Sequence, residues 1–258
     1  RRSTGRAHTR KKCVSGSRSS STVPPGEPTD PWRYKMKPVK KGFPFDEMMK
    51  TLIDLFPEEA APIITRISRR ETSDPFVVLV GTLLSLRTKD ETTEKVMETL
   101  APRAATPRAL LDIPDGELER MIYPVGFYRN KAKVLKEVAR TIIDRYDGKV
   151  PDTIEELLSM RGIGRKTANL VVTEGYGKPG ICVDTHVHRI SNRLGIVSTK
   201  NPHATEDALR QVLPGQYWIV YNSLLVTFGK RICTPLSPKC SECPIEHLCP
   251  RKGVTRSR

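Results

Sequence analysis

The chain has 258 residues, 37% of them hydrophobic, which is enough for one large domain or two modest ones and excludes a mini-protein held together by disulfides. Lys and Arg number 44 against 29 Asp and Glu, and this formal charge of +15 points to an acidic partner such as nucleic acid. The most apolar stretch, residues 76–86, is broken by Gly81, Thr82 and Ser85 and falls well short of the roughly 20 residues a bilayer span needs, so no membrane partner is expected.

The charge is local. Residues 1–41 hold 12 basic and 2 acidic side chains, residues 157–258 hold 15 and 6, and the segment between them is slightly acidic. Residues 1–41 are rich in Arg, Ser, Gly and Pro and are expected to be disordered, because they cannot bury enough apolar surface to offset the entropy of ordering. Three readings fit them: a basic arm for DNA, an organellar targeting segment, or a dispensable extension ahead of Met36. No apolar segment follows the basic start, so no secretory signal is expected. The protein is expected to be intracellular, in the cytoplasm and nucleoid or in a nucleus or organelle.

From Phe45 onward apolar residues recur at helical spacing and almost nothing alternates with period two. Met48, Met49, Leu52, Ile53 and Phe56 form one stripe, and residues 76–86 read as a buried helix. Asp74 before Pro75, Asp90 before Glu91, Thr106 before Pro107 and Thr153 before Ile154 punctuate helix starts. Val134, Leu135, Val138, Ile142 and Ile143 form another stripe; Leu209, Val212 and Leu213 follow the same rule, and residues 217–226 favour helix over strand. The fold class is all-α, with about ten or more short helices.

Residues 157–170, LLSMRGIGRKTANL, read as a helix ending at Met160, a turn through Gly162, Ile163 and Gly164, and a second helix from about Arg165. The glycines permit positive φ and close backbone approach while Ile163 anchors the turn. Such a helix-hairpin-helix presents amide N–H groups to a DNA phosphate; the plain alternative is an ordinary helical hairpin. Lys166 falls in the first turn of the second helix, where the helix dipole disfavours its charge and partial burial would disfavour it further, and a neutral amine is a nucleophile. Asp184, 18 residues on, can cap a helix from Thr185. The plain alternative is that Asp184 is no more than a cap and Lys166 a solvated cation.

Cys233-x6-Cys240-x2-Cys243-x5-Cys249 places four of the six cysteines within 17 residues, a spacing that can enclose one metal centre. Spacing leaves zinc and a four-iron cluster both open. Cys13 reads as a tail thiol and Cys182 as a small buried residue.

Together GIGRKTAN, the VDTHVHR segment and the cysteine pattern resemble the endonuclease III family of DNA glycosylases over about residues 45–252. The resemblance implies that Lys166 attacks C1′ of the damaged nucleotide, that Asp184 assists, and that Cys233, Cys240, Cys243 and Cys249 ligate a [4Fe-4S] cluster. It implies a two-domain fold: a six-helix domain over residues 69–177, ending in the hairpin, and a cluster domain combining residues 45–68 and 178–252. DNA contacts fall on Gly162, Ile163, Gly164, Arg165, His186 and Arg189. Two stretches resemble the family's probing loops. One is Ser85–Asp90, where Arg87 replaces the glutamine expected to fill the gap left by an extruded base. The other holds Phe127 as an apolar wedge, whose alternative is a buried aromatic.

The implied activity is a bifunctional glycosylase and AP lyase acting as a monomer on duplex DNA that carries oxidised pyrimidines or abasic sites. Two rivals are a monofunctional mismatch glycosylase, whose members lack a lysine at the position of Lys166, and a non-enzymatic iron-sulfur DNA-binding protein, to which Lys166 and Asp184 would be superfluous.

Overall fold

Side-chain caps and prolines set most helix starts in the computed structural model, which describes residues 42–57, 61–70 and 74–258. The expected basic arm at 1–41 and Cys13 lie outside the described residues. Among the described residues there are twelve α-helices and no β-strand. They are α1 (Phe45–Leu55), α2 (Ile63–Arg70), α3 (Pro75–Ser85), α4 (Asp90–Leu100), α5 (Pro107–Asp112) and α6 (Asp115–Ile122), followed by the long α7 (Tyr128–Tyr146). Then come α8 (Ile154–Leu158), α9 (Arg165–Leu170), α10 (Thr185–Arg193), α11 (Pro202–Val212) and α12 (Trp218–Arg231). None of them is long and apolar enough to cross a membrane.

Asp74 accepts from the Phe76 and Val77 N–H groups ahead of Pro75, Thr106 caps α5 ahead of Pro107, Thr153 caps α8, and Asn201 caps α11 ahead of Pro202. Each such cap satisfies an otherwise orphaned amide and stabilises by about 1 kcal/mol. Asp90 departs from its expected place. It is the first helical residue of α4 rather than its cap, and its carboxylate reaches Lys230 Nζ of α12 at 2.7 Å, while Lys89 at the cap position makes no side-chain bond. Ile53 also departs: with 49% of its surface exposed it leaves the stripe to Met48, Met49, Leu52 and Phe56.

The buried apolar side chains form two clusters. One runs from Ile63 to Val172 through α2–α9. The other joins Phe45–Phe56 of the first helical segment to Ile181–Ile245, so it is discontinuous in sequence. α2 packs Ile63, Ile64 and Ile67 into the first cluster, although the expected boundary at residue 69 puts it with the second. Residues 217–226 are helical as expected, within α12, where Tyr221, Leu225 and Phe228 fill the second cluster.

Candidate functional site

α8 and α9 are joined by the expected glycine turn, although α8 closes at Leu158, before Met160. The Ile163 N–H donates to the Met160 carbonyl at 3.2 Å, and the Ile163 side chain is buried in the first cluster. Gly162 has φ +89°, and a Cβ there would lie 2.6 Å from Val134 Cγ1, so only glycine fits. Gly164 differs: its φ is −100° and a Cβ would meet nothing within 4 Å. Gly164 is itself exposed.

Lys166 lies in the first turn of α9 and Asp184 caps α10. One carboxylate oxygen, Oδ1, accepts from the His186 and Val187 N–H groups at 2.8 and 2.9 Å. The other, Oδ2, lies 3.7 Å from Lys166 Nζ, an ion-pair distance rather than a hydrogen bond. The cap therefore fixes the carboxylate that faces the amine. Both residues line an open cavity of about 410 Å³ together with Val183, Thr185, Pro202 and His203. The Lys166 side chain is 41% exposed and that of Asp184 10%.

Three other candidate DNA contacts face inward. The Arg165 guanidinium is held by Glu206 through Nε at 3.0 Å and Nη2 at 2.9 Å, leaving its backbone at the hairpin. Arg189 donates to the carbonyls of Gly229 and Cys233 at 3.2 and 2.8 Å. His186 lies 3.2 Å from Arg189 Nη2, and burial, helped by Arg189, Lys230 and Lys166 against the pull of Asp184, lowers its pKa below the ordinary 6.5. It is thus neutral at pH 7 and presents no charge to phosphate.

Arg87 and Phe127 are brought together. Phe127 is 66% exposed, which removes the buried-aromatic alternative, and the Arg87 guanidinium carbon lies 5.9 Å from its ring centroid. Both backbones are left-handed, with φ 54° and 59°.

Cys233, Cys240, Cys243 and Cys249 ring one cavity walled by Ile190, Leu194, Phe228, Ile232 and Ile245. Burial, and then the proximity of the other three thiols, pushes the Cys243 thiol up to about 11. Four thiolates this close need a cationic group between them. Four cysteines lining one cavity are a donor set that fits an iron-sulfur cluster. The Arg193 Nη1–H and the Arg251 N–H point at Cys233 and Cys249 Sγ from 3.3 and 3.4 Å.

Residues 80–215 match the family model described as HhH-GPD superfamily base excision DNA repair protein, and residues 233–249 match the iron-sulfur binding domain of endonuclease III. Endonuclease III of Thermotoga maritima is 45% identical over 207 residues, covering 78% of this chain and 97% of the relative. The chain belongs to the endonuclease III family. The chloroplastic endonuclease III homolog 2 of Arabidopsis thaliana is 40% identical over 90% of this chain, which spans 61% of that relative's length. A trapped endonuclease III–DNA covalent intermediate superposes with a TM-score of 0.65 at 37% identity, covering 69% of this chain and 84% of that one. The chain carries a [4Fe-4S] cluster, and the matched iron-sulfur segment, residues 233–249, is the one that contains the four cysteines. Two residues of the site's surroundings went unread in the sequence. Glu206 signals itself only by its i,i+4 pairing with Arg210, and Lys131 only by occupying the buried stripe of Leu135, Val138 and Ile142.

Proposed function

We propose that the protein is a bifunctional DNA glycosylase and AP lyase of base excision repair that removes oxidised pyrimidines of the thymine glycol type. The observation that carries this reading is the Lys166 amine 3.7 Å from a carboxylate at the mouth of an open cavity, just inside a hairpin whose glycines are exposed. A target base must leave the stack to be reached, and in this reading Arg87 and Phe127, whose guanidinium and ring lie 5.9 Å apart, occupy the gap it leaves.

Lys166, having passed a proton to Asp184 or solvent, attacks C1′ of the flipped nucleotide, and the base departs with the glycosidic electron pair. Loss of the second amine proton and opening of the sugar ring give an iminium joining Nζ to C1′. Removal of a C2′ proton then expels the 3′ phosphate by breaking the C3′–O bond. Cys233, Cys240, Cys243 and Cys249 would hold the iron-sulfur cluster, which supplies a rigid anchor for the C-terminal loop and no step of base removal. Action as a monomer, wherever the cell keeps this DNA, is part of the same reading.

Borohydride reduction in the presence of abasic duplex tests the proposal. The wild-type chain is expected to form a covalent DNA adduct and Lys166→Ala none. An active wild-type chain that never cross-links would overturn it.

A further inference from the structure

The Lys131 side chain is 9% exposed on the core face of α7, and no step above uses it. Its ammonium donates to the Leu84 carbonyl at 2.7 Å, the Leu86 carbonyl at 2.5 Å and Thr88 Oγ1 at 3.1 Å. Leu86 and Thr88 bracket Arg87. The backbone N–H of the same lysine donates to the Phe127 carbonyl at 3.0 Å. Between the two loops, the Gly126 N–H donates to Thr88 Oγ1 at 3.2 Å, and a Cβ at Gly126 would lie 2.6 Å from the Arg87 carbonyl oxygen. The loops therefore touch backbone to backbone, with one lysine gripping both.

Burial lowers the Lys131 pKa to about 8, so the ammonium is still largely charged at neutral pH. All three of its acceptors are neutral oxygens. A helix-end cap alone does not call for a charge at this depth, since α3 could end on a turn or a glycine. What does call for it is the pair of left-handed, non-glycine residues that it flanks. Such backbones persist only where their surroundings over-determine them.

We propose that Lys131 is a positioning residue whose buried ammonium locks the loop carrying Arg87 to the loop carrying Phe127, so that guanidinium and ring enter the DNA as one preformed unit. This rests on the reading above that Arg87 and Phe127 occupy the gap left by the flipped base.

The test uses the full chain with Lys131→Met and Thr88→Val. Hydrogen exchange is followed at the amides of residues 86–88 and 126, and affinity for lesion-containing duplex is measured with and without Phe127→Ala. Both variants are expected to speed exchange in the two loops while protection elsewhere is kept. Lys131→Met is expected to weaken DNA binding about tenfold, and adding it to Phe127→Ala is expected to cost little more, because both act through the same wedge. Unchanged loop exchange overturns the lock, and so does a double variant whose losses multiply as for independent sites. If Lys131→Met does not fold, Thr88→Val decides alone, since it removes the shared hydroxyl and keeps the ammonium. Failure of the Lys166 reading is separately visible as absence of the borohydride adduct.

Discussion

Gly162 and Gly164 flank the same isoleucine under different constraints. Gly162→Ala forces a side chain into a left-handed backbone and against Val134, and is expected to lower stability by about 2 kcal/mol, measured by denaturant unfolding. Gly164→Ala meets nothing and is expected to leave the unfolding midpoint in place while weakening binding to abasic duplex, because the new methyl adds bulk at an exposed position of the turn that the proposed reading sets against DNA phosphate. Equal loss of stability in both would contradict this division. The Gly-Ile-Gly triplet is legible in the sequence; which glycine serves the fold is not, because it depends on Val134 of α7 arriving from 28 residues upstream. Asp184 was legible as a cap, and its second role follows from geometry, since capping uses one oxygen and leaves the other for Lys166.

At the level of helices, α9 is fixed to α11 by Glu206, which is 4% exposed in its side chain and accepts from Arg165, Arg210 and Asn169. Burial alone would raise the Glu206 pKa, but the hydrogen bonds from Arg165 and Arg210 outweigh it and hold the carboxyl below its ordinary 4.5. A carboxylate depressed in the folded state contributes stability that is fully present above the unfolded value and is lost as pH falls through the folded one. Acid unfolding below about pH 4.5 should therefore be blunted in Glu206→Gln relative to wild type. The same variant is expected to lose about 2–3 kcal/mol at pH 7, measured by denaturant unfolding. An unaltered acid limb would show that α9 is held by other contacts. The sequence marks α9 and α11 as helices through their caps and stripes. It does not mark their junction, because Arg165 and Glu206 are 41 residues apart and each reads by itself as a surface charge. Asp90 illustrates the same limit: its partner Lys230 lies 140 residues away.

Across the whole molecule, the basic excess of the C-terminal portion coincides with the hairpin and the cysteine loop, although Arg165, Arg189 and Arg193 direct their guanidinium groups to protein atoms. In the proposed reading, phosphate binding is left to backbone amides and to the exposed cations. Four phosphate contacts would give about a hundredfold loss of DNA affinity between about 50 and 200 mM salt, read from the slope of log affinity against log salt. A flat slope would contradict a phosphate-dominated interface. The all-helical class, the hairpin and the four-cysteine centre were legible because local spacing encodes each of them. The discontinuous second cluster was reached through resemblance, since nothing in the pattern of α1 announces that it packs on residues after Ile181. The central chemistry rests on a single amine, and peptide mapping of the borohydride-trapped adduct locates that amine directly. The cross-link should fall on Lys166 in the peptide that follows the hairpin. A cross-link on any other lysine would show that the nucleophile lies elsewhere.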